Sequence, residues 1–134
     1  MTGSIARSIY LCATWLLVVG AVVQIFLAGL GVFDDPSAFI THRDFGFLLE
    51  LLPIVMLIAA IVARMGRGYI GGAVLLFVQF MLQSVFVALR TDLPAIAALH
   101  PLNGFIILLV GLILGRAAWR DRRPPADSAF STGG

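Results

Sequence analysis

Residues 37–64 read SAFITHRDFGFLLELLPIVMLIAAIVAR, a mainly apolar stretch of 28 residues. As a helix it is long enough to cross about 30 Å of hydrocarbon, which takes roughly 20 residues. Three further stretches, residues 9–32, 68–90 and 95–119, have similar length and apolar character. The sequence therefore predicts four transmembrane helices.

The composition supports the same class of protein. The chain has 134 residues, of which 60% are hydrophobic and 12% charged, too apolar for a water-soluble protein of this size. We predict an all-α integral membrane protein, a four-helix transmembrane up-down bundle built from two helical hairpins. We expect one domain, residues 1–120, followed by a disordered cytoplasmic tail, residues 121–134. We also expect that the first helix stays in the protein and is not cleaved off as a signal peptide.

Arginine placement predicts the orientation in the membrane, because short loops rich in Lys or Arg stay cytoplasmic. One side carries most of them: Arg7, Arg64, Arg67, Arg116, Arg120, Arg122 and Arg123. We therefore expect the protein in the inner or plasma membrane of the cell, with both termini in the cytoplasm. Arginine without lysine indicates a bacterial source, and no basic soluble module is present that would bind nucleic acid.

A repeated pattern, Pro-x5-His-x3-Gly, contains the only two histidines of the chain. Its copies are Pro36, His42, Gly46 and Pro94, His100, Gly104. A Val-Gln pair precedes each copy, Val23-Gln24 in the first half and Val78-Gln79 in the second. The pattern predicts two copies of one hairpin.

The prolines predict where the second helix of each hairpin begins. Pro36 and Pro94 suit a first helical turn, and Asp35 is a good N-cap residue. Pro101 disfavours helical geometry at the preceding residue, so His100 is expected at a kink or an N-cap.

Small and polar residues mark the inward helix faces, because lipid and protein core are equally apolar. At about 100° per residue they form four stripes: Gly20, Gln24, Ala28 and Gly31; His42, Gly46, Leu49 and Pro53; Gly72, Gln79, Gln83 and Arg90; His100, Gly104, Gly111 and Gly115. The glycines indicate close helix packing or clearance for a flat ligand. For the glutamines, an interhelical hydrogen bond is the favoured interpretation.

The two histidines are candidate metal ligands. An up-down bundle places the second and fourth helices diagonally opposite, roughly 11–14 Å apart, so that His42 and His100 face each other across room for one metal centre, too far apart for direct contact. Two axial nitrogens without other protein ligands favour a haem iron, since zinc or copper needs more ligands and only Asp44 and Glu50 are near. Alternatively, both histidines are interfacial or donate to backbone carbonyls.

Three charged residues have open interpretations. Arg43 and Arg90 are candidate partners for haem propionates, or else solvated residues that pair with Asp44 and Asp92. Glu50 is a candidate proton carrier or a partner to a ligand, because a carboxylate inside a transmembrane helix must be protonated, paired or near water.

Residues 10–119 resemble one four-helix half of the haem A synthase superfamily. The resemblance lies in VQIFLAG at residues 23–29, Thr41-His42-Arg43, Val78-Gln79 and His100. It implies that His42 and His100 are the axial ligands of a b-type haem, as in the half that holds the family's cofactor haem. Phe39 and Ile40 stand where the catalytic half has a glutamate, and there is only one bundle, so the resemblance does not extend to the synthase reaction.

These observations predict a membrane b-type haem-binding protein with two histidine ligands, in electron transfer or haem handling. The alternative is a cofactor-free structural or transporter subunit, and a third hypothesis is a haem A synthase-like oxidoreductase formed by a homodimer. Candidate partners are membrane lipid, a quinol, a neighbouring redox subunit and a second copy of the chain. We predict no catalytic residue; the predicted haem-binding residues are His42, His100, Arg43, Arg90, Gly46, Gly104, Gln24 and Gln79.

Overall fold

The computed structural model describes residues 2–122, and in that range the chain is helical apart from short turns. The helices are α1 (Thr2–Phe33), α2 (Ala38–Leu49), α3 (Leu51–Val62), α4 (Arg67–Ala88), α5 (Pro94–Ala97) and α6 (Leu99–Arg120). Four helical spans are long and apolar enough to cross a membrane: Gly3–Phe33, Ala38–Val62, Arg67–Ala88 and Pro94–Arg120. The predicted all-α fold is confirmed. Of the predicted tail, the structure describes only Asp121 and Arg122, which form a turn. Residues 123–134 lie outside the described range.

The spans pack as a closed ring. α1 contacts α2 and α3 on one side and α6 on the other, and α4 likewise contacts α3 and α6. This arrangement leaves α1 diagonal to α4, and the α2–α3 span diagonal to the α5–α6 span, as an up-down bundle requires. Side-chain contacts link residues 10, 69 and 121 at one end and residues 24, 42 and 100 at the other.

Two spans are interrupted close to a proline. The second span breaks at Glu50, three residues before Pro53, and the fourth breaks at Ala98, three residues before Pro101. A proline has no N–H to donate to the carbonyl four residues earlier, and its ring crowds that carbonyl. His100, predicted at a kink or an N-cap, is instead the second residue of α6, and the interruption lies at Ala98. An unpredicted interruption divides α2 from α3.

The second span has Ser37 as the N-cap residue of α2, two residues later than predicted, and Asp35 instead caps the turn before it. Its carboxylate accepts hydrogen bonds from the Ser37 backbone N–H at 2.8 Å and from the Ser37 hydroxyl at 2.6 Å. These bonds favour the ionised carboxylate and lower the pKa of Asp35. A tight turn over Pro36 and Ser37 precedes α2, which begins at Ala38.

Replacing the cap should destabilise the protein only while Asp35 is charged. Because its folded-state pKa is lowered, its contribution is present above the unfolded-state pKa of about 4 and is lost as the pH falls through the lower folded-state value. We expect the Tm of Asp35→Ala in detergent to lie below that of the wild type at pH 7, and the two values to converge at acidic pH. Asp34→Ala is the matched control, and an equal loss in that variant would contradict the cap.

Glycines let the helices approach closely. A Cβ atom on Gly31 would lie 2.7 Å from the Phe39 ring, and one on Gly72 would lie 2.6 Å from a Leu114 methyl. Gly20 is similarly covered by the side chain of Leu49. The glycines predicted on inward faces of the first and third helices thus face neighbouring helices, as close packing requires, whereas Arg90 of the third-helix stripe is exposed.

Most of the remaining apolar surface points outward. Only 17–28% of each membrane-spanning window is buried inside the bundle, so the rest requires an apolar surrounding. Large exposed side chains such as Phe26, Leu48 and Leu109 lie along this outer surface. The chain is a multi-pass helical membrane protein.

The adjacent glycines Gly71 and Gly72 allow a test of close packing within one helix. A Cβ at Gly72 also lies 3.2 Å from the Leu114 Cγ, whereas a Cβ at Gly71 meets nothing within 4 Å. We expect Gly72→Ala to lower the free energy of unfolding by about 1–3 kcal/mol, the usual cost of overpacking. Gly71→Ala should be neutral or stabilising, since alanine favours the helix. Unfolding in a denaturing detergent series measures both, and equal stabilities would contradict close contact at Gly72.

Candidate functional site

His42 is joined to α1 by two hydrogen bonds with the same residue. The His42 Nδ1 lies 3.0 Å from the Gln24 backbone oxygen, and the Gln24 Nε2 donates to the His42 backbone oxygen at 2.9 Å. Each residue therefore contacts the backbone of the other. The favoured interpretation of Gln24, an interhelical hydrogen bond, is confirmed.

His100 has a matching contact in the second hairpin, made with Gln83 and not with Gln79, the glutamine of the matching Val-Gln pair. The His100 Nδ1 lies 3.4 Å from the backbone oxygen of Gln83, a longer and weaker contact than the one at His42. The separation in sequence is 17 residues here and 18 in the first hairpin. Gln83, rather than Gln79, is thus the equivalent of Gln24.

Asn103 ties the second hairpin together. Its buried side-chain amide donates to the Gln79 backbone oxygen at 2.8 Å and to the Gln83 Oε1 at 3.0 Å. Gln79 takes part through its backbone, so its predicted side-chain role is not found among the described hydrogen bonds of residues 2–122. Asn103 lies one helical turn after His100 and strengthens the link where the histidine contact is long.

The two imidazoles face each other across the bundle, as predicted. Their ring centres lie 6.1 Å apart with an interplanar angle of 64°, an edge-to-face arrangement. The prediction that the rings are too far apart for direct contact is wrong, because the side chains reach inward from both diagonal helices. Phe39 also packs edge-on against His42, with ring centres 6.4 Å apart.

The carbonyl partners indicate which ring nitrogen of each histidine carries hydrogen. A backbone carbonyl only accepts, so a hydrogen bond to it requires a proton on Nδ1. In a neutral imidazole this leaves the Nε2 lone pair of His42 and of His100 free to bind a metal. Such a carbonyl contact is the usual support of a metal-binding histidine, and it fixes the tautomer and the ring orientation.

The first glycine of the repeat makes room for an amide. A Cβ on Gly46 would lie only 2.8 Å from the Gln24 Nε2, so its missing side chain lets Gln24 approach α2. A Cβ on Gly104 would lie 3.4 Å from the Gln83 Nε2, which is an ordinary contact. The Oε1 of Gln24 is buried and has no hydrogen-bond partner among the described residues.

The two arginines near the histidines are exposed and differ in their contacts. Arg43 forms an ion pair with its neighbour Asp44 at 2.8 Å, in agreement with the solvated alternative. Arg90 donates to the Val87 backbone oxygen at 3.1 Å, and no ion pair with Asp92 is found in residues 2–122. A propionate role for either arginine stays a prediction.

Glu50 lies at the break between α2 and α3, near the middle of the span Ala38–Val62. It is half-buried, and no described hydrogen bond or ion pair of residues 2–122 involves its side chain. Over the same residues there is no group of three or more His, Cys, Asp or Glu side chains that could hold a metal ion. A metal bound at the histidines would therefore take its other ligands from outside the protein.

The sequence analysis placed Gln83 on an inward helix face without assigning it to the site, and it missed Asn103. The spacing between glutamine and histidine identifies Gln83, whereas the matching Val-Gln pairs lead to Gln79, one helical turn away. Asn103 is the only asparagine of the chain and lies inside an apolar span, where a polar side chain needs a partner.

The fold and the site define a four-helix membrane protein with two facing histidines, each held by a carbonyl of the preceding long helix. The chain belongs to a family of unknown function, DUF6220, whose model matches residues 24–91. The matched part includes His42, Gln24 and Gln83, while His100 and Asn103 lie beyond it. No curated protein and no solved structure matches the chain.

Stability can separate the roles of Asn103 and Gln79. Asn103→Leu leaves the Gln79 and Gln83 acceptors without their donor and should lower the free energy of unfolding by about 1 kcal/mol, as for other interhelical hydrogen bonds in membranes. Gln79→Leu keeps the backbone acceptor and should have a smaller effect. Unfolding of both variants in a denaturing detergent series measures the difference, and the opposite order would refute the assignment.

Proposed function

We propose that the chain is a membrane haem-binding protein in which His42 and His100 hold the iron of one haem b, for electron transfer or haem handling. The observation that carries the proposal is the pair of facing imidazoles with ring centres 6.1 Å apart. A metal–imidazole bond is about 2 Å and the ring centre lies about 1 Å behind the nitrogen, so two imidazoles on opposite sides of one metal have centres roughly 6 Å apart. This spacing matches two-point ligation; the rings, which lie edge to face at 64°, would turn so that both Nε2 atoms point at the metal.

The ligand set favours haem over a bare metal ion. A tetrahedral zinc site takes three or four protein ligands, and the described residues 2–122 offer no such group. A haem iron needs only two axial ligands from the chain, and bound in this way it would carry one electron. The carbonyls of Gln24 and Gln83 would hold both imidazoles in the orientation that leaves Nε2 available.

The proposed location is the inner or plasma membrane of a bacterium, with both termini in the cytoplasm. The arginines near the start of α1, near the end of α6 and in the α3–α4 connection all lie at the same end of the bundle. Their placement supports this orientation, because arginine-rich ends stay in the cytoplasm. The histidine site then lies toward the opposite side. A quinol, a neighbouring redox subunit or a second copy of the chain would exchange electrons or haem with it there.

A second candidate function is that of a cofactor-free structural or transporter subunit. The observation in its favour is that His42 and His100 already have partners, because each Nδ1 contacts a carbonyl and the two rings touch. In that case the histidines join the two hairpins, and no haem enters the bundle.

A reduced-minus-oxidised absorption spectrum of detergent-purified protein, produced with ample haem, tests the proposal. We expect low-spin b-type bands in the wild type and their loss in His42→Ala and in His100→Ala, because six-coordinate iron requires both axial ligands. Gly71→Ala is the control and should keep the bands, since an added Cβ there meets nothing within 4 Å and both histidines stay in place.

Rescue by added imidazole distinguishes ligation from folding. If the histidines are ligands, free imidazole should restore the low-spin bands in either alanine variant. Bands that persist in both alanine variants would refute the ligand assignment. A folded wild type that stays colourless after haem is offered would favour the cofactor-free function.

A further inference from the structure

An open cavity of about 350 Å³ with charged side chains in its lining lies at the arginine-rich end of the bundle, the end opposite the histidines. Its lining comes from the start of α1 and the turn after α6: Ser4, Ile5, Arg7, Ser8, Asp121 and Arg122. Arg122 donates to the Ser8 hydroxyl at 2.9 Å, and Asp121 accepts a hydrogen bond of 2.5 Å from the Tyr69 hydroxyl. These contacts hold both turn residues against their neighbouring helices.

The charges of this cavity favour an anion. Arg7 and Arg122 contribute two positive charges and Asp121 one negative charge, and the Tyr69 hydroxyl already engages that carboxylate. Guanidinium groups and hydroxyls together are typical ligands of a phosphate group. A basic pocket between helices at the cytoplasmic membrane surface is also a recurrent headgroup site of acidic lipids.

An apolar groove of about 380 Å³ continues from the cavity, with which it shares Ile5 and Ser8. It runs between α1 and α3, and its walls include Ile9, Cys12, Leu16, Leu52 and Val55. From Ser8 to Leu16 the groove follows α1 for about 12 Å, a length that suits much of one acyl chain. Polar and apolar parts thus adjoin in the order in which a phospholipid presents its headgroup and its tail.

We propose that the cavity and the groove together bind one anionic phospholipid. The phosphate lies between Arg7 and Arg122, and one acyl chain lies along α1 and α3. A zwitterionic choline headgroup binds less well, because its ammonium would face the same guanidinium groups. This site is independent of haem, since it lies at the opposite end of the bundle from His42 and His100.

Native mass spectrometry of the full chain in detergent tests the headgroup part. The protein is titrated with phosphatidylglycerol and, separately, with phosphatidylcholine that has the same acyl chains. We expect preferential binding of phosphatidylglycerol, weakened about fivefold in Arg7→Gln and in Arg122→Gln, the usual effect of one arginine at an acidic membrane surface. Arg116→Gln is the matched control, because Arg116 is exposed on α6 and does not line the cavity.

Tryptophan scanning tests the acyl-chain part. Cys12→Trp fills the groove and should weaken phosphatidylglycerol binding, whereas Val19→Trp, two turns further along the same exposed face of α1, should not. Binding that survives in Cys12→Trp and is displaced by inorganic phosphate would show a phosphate site instead and overturn the proposal. Equal binding of the two lipids, or an equal loss in Arg116→Gln, would overturn it as well.

Discussion

The bundle depends on a constraint of the hydrocarbon environment, where apolar side chains gain little from leaving lipid for protein. Association then depends on close backbone contact and on the few polar groups that need partners. Gly72 supplies the first, because Leu114 occupies the space of its missing side chain. Gln24 supplies the second, because its amide reaches the backbone of the helix that carries His42. Helix orientation and site geometry both follow from these contacts.

Much of the fold could be predicted because the number of helices depends on lengths of apolar sequence, and their inward faces depend on polar and small residues. Details that depend on local backbone geometry could not. Pro53 is compatible with an intact membrane helix, so nothing in the sequence placed a break at Glu50. The start of α1 at Thr2, rather than at residue 9, also differs, because hydropathy marks the membrane core and a helix continues into water.

The site was predicted in part. Repetition identified His42 and His100, and an up-down topology placed them opposite each other. Their actual separation depends on side-chain reach and on helix rotation, which helix spacing alone does not determine. The matching Val-Gln pairs suggested Gln79 as the equivalent of Gln24, but a shared dipeptide does not determine which residue faces the neighbouring helix. Gln83 lies at the position along α4 from which its backbone carbonyl contacts His100.

The unequal support of the two histidines has a consequence for what each side chain contributes to its hairpin. His42 and Gln24 contact each other's backbones, so in the first half one pair of residues both holds the imidazole and fixes the axial register of α2 on α1. In the second half Asn103 fixes the register, and His100 has only a long contact. Loss of the His42 imidazole thus removes a 3.0 Å contact between α1 and α2, whereas loss of the His100 imidazole removes only a 3.4 Å contact from a hairpin that Asn103 still holds together.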